Sequence, residues 1–148
     1  MTIYMDCCCL NRPFDDQLQD KIRIENDAVI AILSKCSLGV WRLVSSEVLD
    51  IEIASIPDSW KKGKVLELYK LASEKIALND KIKQRAREIQ AYGLKAFDSL
   101  HVASAEYKGV DVFLTTDKNL LKAAQRFELP IKVVNPLNWF MEVADDGQ

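Results

Sequence analysis

Two aspartates follow apolar segments of the chain that predict buried β-strands. Asp6 comes directly after Thr2-Ile3-Tyr4-Met5, and Asp117 follows Phe113-Leu114-Thr115-Thr116. In an open parallel sheet, ligands bind beyond the carboxyl ends of the strands, at the point where the strand order reverses. Aspartate is also favoured in turns and at helix N-caps. For Asp6 and Asp117 taken singly, the site and the turn or cap interpretation both stay open.

The helix predicted to begin at Ser45-Ser46 and to run to Ile56 carries three acids, which helical periodicity separates. Its buried side is defined by Leu49, Ile53 and Ile56. At a rotation of about 100° per residue, Glu52 lies about 65° from the centre of that side, whereas Asp50 and Glu47 lie about 95° and about 155° away. We therefore expect Glu52 to be held against the protein and Glu47 to point to water.

A fourth carboxylate, Asp98, lies near the start of a helix predicted from Lys95 to Lys108 and closed by Gly109. It shares one face of that helix with His101, Val102 and Ala105. An acid in the first turn is stabilised by the helix dipole, but this does not explain its place on an inward face. His101 is the only histidine of the chain, and we expect it to be a packed or capping residue rather than a catalyst.

Carboxylates that converge on one edge of a sheet repel each other unless cations lie among them. Ligation by oxygen alone suits Mg²⁺ or Mn²⁺ rather than zinc. Such an ion generates a nucleophile and stabilises the leaving oxygen of an in-line phosphoryl displacement. The four acids Asp6, Glu52, Asp98 and Asp117 therefore predict metal-dependent phosphodiester hydrolysis.

Other familiar sites do not fit the sequence. The five glycines form neither a dinucleotide fingerprint nor a phosphate-binding P-loop. A phosphotransferase of the haloacid dehalogenase type needs an aspartate two residues after Asp6, where this chain has Cys8. The spacing of the cysteines does not match a structural zinc site, so we expect them to act as small buried hydrophobes: Cys7, Cys8, Cys9 and Cys36.

The elements that would position these acids alternate between strands and helices. Further strands are predicted at 40–45, 110–115 and 130–134. A helix opens at 14–17, where Asp16 and Gln19 have the spacing of a capping box, and it ends at Gly39. Other helices begin at Asp58, Asn79, Thr116 or Asp117, and Pro136. This order predicts an α/β fold with a parallel sheet and helices on both of its faces.

Length and composition are those of one globular domain. The chain has 148 residues and a formal net charge of −2, which is not the basic footprint of a bulk nucleic-acid binder. We expect a single domain over residues 1–144, a frayed tail over 145–148 and a cytoplasmic location, since no signal peptide or membrane-spanning run is evident. The basic residues Lys81, Lys83, Arg85 and Arg87 are most simply a solvated helix face, with RNA contact as the alternative.

Four segments, spread in order over nearly the whole chain, resemble the PIN-domain nucleases, in particular the small VapC-like toxins. They are Ile3-Tyr4-Met5-Asp6, Ser46 to Glu52, Phe97 to Ala105, and Leu114 to Asp117. The resemblance implies a three-layer α/β/α fold with a four- to five-stranded parallel sheet. It also implies an acidic quartet that binds Mg²⁺ or Mn²⁺, formed by Asp6, Glu52, Asp98 and Asp117.

The resemblance further implies polar support from Ser46 and Thr115, single-stranded RNA as substrate, a homodimer and a small antitoxin that blocks the site. Many relatives carry Asn or Ser two residues after the first aspartate, where this chain has Cys8, and a thiol is a poor partner for a hard cation. Asn11 and Arg12 are candidates for contact with metal-bound water or phosphate, with surface packing as the alternative for Arg12. A catalytically inactive binding module and a DNA-directed nuclease are the alternative functions.

Overall fold

A computed structural model describes residues 1–145 of the chain. Its five strands are β1 (Thr2–Met5), β2 (Arg42–Ser46), β3 (Glu74–Ile76), β4 (Val112–Leu114) and β5 (Val133–Val134). They form one parallel sheet in the order β3-β2-β1-β4-β5. The chain first builds outward from β1 through β2 to β3 and then returns to the other side of β1 with β4. The strand order therefore reverses between β1 and β4.

The helices described within residues 1–145 are α1 (Cys7–Asn11), α2 (Asp20–Ser37), α3 (Glu47–Ala54), α4 (Ser59–Tyr69), α5 (Asp80–Gln90), α6 (Ala96–Lys108), α7 (Lys118–Arg126) and α8 (Pro136–Asp145). A single 3-10 turn at Arg12–Phe14 joins α1 to the loop before α2. With the sheet they make a three-layer α/β/α fold, so the predicted fold class is confirmed. None of these helices has the length and apolar character needed to cross a membrane.

The adjacent strands β1 and β4 are covered on both faces of the sheet, which explains why their sequences are apolar without alternation. Ile3, Tyr4 and Met5 of β1 are buried, as is every residue of β4. The rings of Tyr4 and Phe113 stack with centroids 5.0 Å apart. This packing holds β1 and β4 rigidly against each other at the point where the strand order reverses.

Side-chain caps start the helices that surround the sheet edge. Ser46 Oγ accepts from Leu49 N–H at the start of α3, and Asn79 Oδ1 accepts from Ile82 N–H at the start of α5. Helix α6 ends at Gly109, whose φ of +75° is in the left-handed region that favours glycine. The bounds of α3 and α6, and the start of α5, lie within two residues of the sequence prediction.

Three parts of the fold differ from the sequence prediction. The short helix α1 follows Asp6 directly, and the long helix α2 begins at Asp20 instead of at 14–17. The 3-10 turn at Arg12–Phe14 is followed by a turn in which Asp16 Oδ1 accepts from Leu18 N–H, so the predicted capping box of Asp16 and Gln19 does not form. The edge strand β3 was not predicted, since it has three residues and only Ile76 is buried. Of the predicted tail, Asp145 is the last residue of α8, and residues 146–148 lie outside the described part of the chain.

Candidate active site

Asp6 lies at the point where the strand order reverses, between the ends of β1 and β4. Its backbone N–H donates to the Leu114 carbonyl at 2.9 Å, and Thr115 Oγ1 donates to Asp6 Oδ2 at 3.0 Å. Asp6 is only 5% exposed. The carboxylate is therefore fixed by bonds from both central strands, at the edge where parallel sheets bind their ligands.

Asp6 also caps a helix, so both interpretations of this residue apply. Its Oδ1 accepts from Cys7 N–H at 2.7 Å at the start of α1. The cap bond uses one carboxylate oxygen and the bond from Thr115 uses the other. Since each oxygen has more than one lone pair, the cap role leaves acceptor capacity for a further partner.

Helix α3 presents Glu52 to the same edge. Glu52 is half-buried, and its Oε2 lies 3.3 Å from His101 Nε2. Asp50 is exposed and pairs with Lys75 at 2.7 Å. Glu47 is exposed as well, and its Oε1 accepts from the backbone N–H of Leu78. The three acids are distributed as the periodicity of the helix predicts.

Asp98 and Asp117 lie close enough to Asp6 to interact with it or with each other through charge. Burial, followed by the negative charges of Asp6 and Asp117, raises the pKa of Asp98 to about 6. Asp117 caps α7, where its Oδ1 accepts from the N–H groups of Asn119 and Leu120 at 2.9 Å and 3.3 Å. The cap interpretation of Asp117 thus holds alongside its place in the acidic cluster.

His101 lies among the acids, which the sequence did not predict. Its ring is fully buried on α6, with Nε2 3.9 Å from Asp6 Oδ1 and Nδ1 2.6 Å from Tyr4 Oη. Ligand atoms of Asp6, Glu52 and His101 all lie within 4.8 Å of one another. Asp98 and Asp117 are outside this tight group. The signal for His101 was its position three residues after Asp98, on the same helix face.

The pKa shifts reflect the crowding of negative charge. Burial raises the pKa of Asp6, and the charge of Glu52 raises it further, against the lowering effect of His101. Burial would raise the pKa of Glu52 as well, but the hydrogen bond to His101, the charge of His101 and a hydrogen bond to Cys7 together outweigh it and lower the pKa. Burial lowers the pKa of His101, yet the bond to Glu52 and the charge of Asp6 produce a net rise.

Thr115 and Cys8 both donate hydrogen bonds to the Asp6 carboxylate. The Cys8 thiol donates to Asp6 Oδ2 at 3.5 Å, lies 3.3 Å from Thr115 Oγ1, and accepts from the N–H of Thr116 at 3.3 Å. Thr115 Oγ1 also accepts from Asp117 N–H at 3.1 Å. The thiol at position 8 therefore makes a hydrogen bond to the aspartate without having to contact a cation itself. All four cysteines are free, and Cys7 and Cys9 are buried.

The other predicted supporting residues have structural partners. Ser46 Oγ lies 2.7 Å from Tyr4 Oη, so Tyr4 and His101 separate it from the acids. The Arg12 guanidinium donates to Glu25 at 2.9 Å and to Asp15 at 2.8 Å. Asn11 Nδ2 donates to Cys7 Sγ at 3.8 Å. Arg12 is thus engaged in ion pairs, as its alternative packing role requires.

The donor set fits a hard divalent cation. Asp6 and Glu52 offer carboxylate oxygens at the centre, and burial together with the negative charges of Asp6 and Asp117 raises the pKa of Asp98 to about 6. Mg²⁺ and Mn²⁺ prefer such oxygen ligands and would remove the repulsion among the acids. The residues that would hold the ion are Asp6 and Glu52, with Asp98 and Asp117 beside them.

Comparison with known proteins identifies the family and the fold. The family model of the PIN domain matches residues 16–126, a range that includes Glu52, Asp98 and Asp117 but not Asp6. Among solved structures, the chain is similar to the crystal structure of VapBC2 from Rickettsia felis bound to a DNA fragment from its promoter. The TM-score is 0.60 at 13% identity, over 91% of this chain and 98% of the other, so this likeness concerns the fold. No curated protein sequence matches the chain.

Proposed function

The chain belongs to the PIN domain family, whose members are nucleases, and we propose that it is a Mg²⁺- or Mn²⁺-dependent endoribonuclease that hydrolyses single-stranded RNA. The observation that supports this most directly is the convergence of acids at the reversal of strand order. Asp6 and Glu52 approach each other around one buried histidine, and the charges of Asp6 and Asp117 raise the pKa of Asp98.

A bound divalent cation supplies Lewis acidity for an in-line phosphoryl displacement. Asp6 would bind it with an orientation set by Thr115 Oγ1 and by the N–H of Cys7. Glu52, which lies on helix α3, would bind the same cation, and the hydrogen bond with His101 would hold its carboxylate in place. Because these partners are in place before any ligand arrives, little reorganisation is needed on binding.

The test is substitution of the acids by amides of the same shape. Asp6→Asn and Asp98→Asn should abolish metal-dependent cleavage of a single-stranded RNA, with circular dichroism and thermal unfolding still showing a folded protein. Asp50→Asn is the matched control, because Asp50 is an exposed acid paired with Lys75 on the same helix as Glu52. Metal-dependent cleavage that persists in both Asp6→Asn and Asp98→Asn would refute the assignment.

Matched RNA and DNA oligonucleotides distinguish a ribonuclease from a DNA-directed nuclease with the same metal site. We expect cleavage of the RNA alone. An inactive binding module would cleave neither, and calorimetry would then detect no divalent cation binding. Cleavage of only the DNA oligonucleotide would contradict the ribonuclease assignment while leaving the metal site intact.

We also propose that the protein is a toxin of a toxin–antitoxin pair, a homodimer, and cytoplasmic. The support is the similar fold of the Rickettsia felis structure, which is described as a VapBC2 complex. A small antitoxin encoded in the neighbouring reading frame should co-purify with the protein and inhibit its nuclease activity. Sedimentation analysis of the purified protein should give twice the mass of one chain.

A further inference from the structure

A chain of hydrogen bonds runs from the start of α3 to the acidic cluster through buried side chains. Ser46 Oγ accepts from Leu49 N–H at 3.0 Å and lies 2.7 Å from Tyr4 Oη. Tyr4 Oη lies 2.6 Å from His101 Nδ1, and His101 Nε2 lies 3.3 Å from Glu52 Oε2. Ser46, Tyr4 and His101 are each 0% exposed. Because these side chains are buried, their hydrogen-bond partners within the protein determine which atoms of this hydrogen-bond chain carry the protons.

For a neutral imidazole, three arrangements of the protons make both of these hydrogen bonds. In the first, Ser46 donates to Tyr4 Oη, and Tyr4 donates to His101 Nδ1. In the second, His101 Nδ1–H donates to Tyr4 Oη, and Tyr4 donates to Ser46 Oγ. The Ser46 hydroxyl proton then has no acceptor among residues 1–145. In the third, Ser46 and His101 Nδ1–H both donate to Tyr4 Oη, and the Tyr4 proton is left without an acceptor in the described residues. In the second and third, Nε2 also presents a lone pair to the Glu52 carboxylate oxygen 3.3 Å away. A buried donor without an acceptor is costly, so the first arrangement is favoured.

The first arrangement determines the tautomer of His101. When Nδ1 accepts from Tyr4, the single proton of a neutral imidazole must be on Nε2. Nε2 then donates to Glu52 and has no free lone pair for a metal ion. If Tyr4 and Ser46 did not fix the tautomer, the short distances from Nε2 to Asp6 and Glu52 would be equally compatible with His101 as a metal ligand.

We propose that His101 is a positioning residue, oriented by Tyr4 and Ser46, that donates its Nε2–H to Glu52 and is not a ligand of the metal. The proposal rests on the function proposed above, since it concerns the same site. The Tyr4 ring is held by its stack on Phe113, with planes inclined by 10°, so the hydroxyl has a fixed direction. A hydrogen bond from such a partner sets the orientation of a metal-binding carboxylate.

The single histidine makes the proton position measurable. In ¹⁵N-labelled protein, long-range ¹H–¹⁵N spectra contain one imidazole, that of His101. Recorded above the pH at which the His101 ¹⁵N shifts stop changing, so that the imidazole is neutral, they should show a protonated Nε2 and an accepting Nδ1. Saturation with Mg²⁺ should leave the Nε2 proton in place. A proton on Nδ1 alone, or loss of the Nε2 proton when Mg²⁺ binds, would overturn the proposal.

The variant Tyr4→Phe removes the hydroxyl and keeps the stacked ring. We expect its Mg²⁺ affinity to fall by up to about 10-fold, because Tyr4 orients the histidine that holds the metal-binding carboxylate of Glu52. Tyr107→Phe is the control, because Tyr107 is 57% exposed, and its affinity should not change. Unchanged Mg²⁺ affinity in folded Tyr4→Phe would refute the positioning role.

These outcomes are separate from failure of the proposed function. If Mg²⁺ shifts no backbone amide signal of Asp6 or Glu52, the metal-dependent activity is refuted. The metal-free spectrum of the unmodified protein would still decide the hydrogen-bond arrangement, because it requires neither metal nor variant. It also remains decisive if Tyr4→Phe does not fold.

Discussion

Substitution of Thr115 by valine tests whether the hydrogen bond to Asp6 stabilises a buried charge. Thr115 Oγ1 is fully buried and donates to Asp6 Oδ2 at 3.0 Å. Valine has nearly the same shape but no hydroxyl. A hydrogen bond to an ionised group contributes about 1.5–3 kcal/mol, so we expect the free energy of unfolding to fall by about that amount near neutral pH. For a chain of this length, that corresponds to a Tm lower by roughly 3–12 °C.

Thr115→Ser is the matched control, since it keeps the hydroxyl and removes one methyl group, at a cost of about 0.8 kcal/mol. In the Asp6→Asn background the bond becomes neutral, and the loss from Thr115→Val should shrink to about 0.5–1.5 kcal/mol. The effect also depends on pH. Burial raises the pKa of Asp6 in the folded state, and loss of the bond from Thr115 raises it further. The difference between variant and parent is therefore full above these pKa values and shrinks to that of a neutral hydrogen bond as pH falls below them.

The assay is urea unfolding at neutral and acidic pH. The proteins compared are the parent, Thr115→Val, Thr115→Ser, Asp6→Asn alone, and Asp6→Asn combined with Thr115→Val. Equal stability of Thr115→Val and Thr115→Ser at neutral pH would refute the reasoning. A loss that stays constant as pH falls would show instead that the hydroxyl stabilises something other than the charge of Asp6.

The remaining predictions concern the neighbouring acids, the cation and one helix end. Glu52→Gln should abolish metal-dependent RNA cleavage while Asp50→Asn retains it, because only Glu52 faces the cluster; equal activity of the two variants would contradict this. Mg²⁺ should raise the Tm more at pH near 7.5 than at pH near 5, since protons compete with the cation for acids such as Asp98, whose pKa is about 6 in the metal-free protein. Scanning fluorimetry measures this, and a pH-independent shift would speak against binding by the carboxylates. Gly109→Ala should lower the stability by about 1–2 kcal/mol, because its φ of +75° disfavours a side chain, without changing the activity per folded molecule.

Patterns among neighbouring residues were sufficient to predict features that depend on a single helix or strand. The end of α6 at Gly109 and the cap of α5 by Asn79 follow from neighbouring residues alone. The contrast between Glu52 and Asp50 follows from the rotation per residue along one helix. The edge strand β3 was missed because only one of its three residues is buried, so it carries almost no apolar pattern. Its position is determined by pairing with β2, not by its own sequence.

The amino-acid sequence by itself determined the alternation of strands and helices, the ends of several helices, and the four acids at strand ends and inward helix faces. It did so because helical rotation, strand burial and capping depend on residues a few positions apart. Tertiary structure alone decided that Thr115 donates to Asp6, and that His101 lies between Asp6 and Glu52 with Tyr4 behind it. Those contacts join residues far apart in the chain, and they form only because β1 and β4 become neighbours when the strand order reverses.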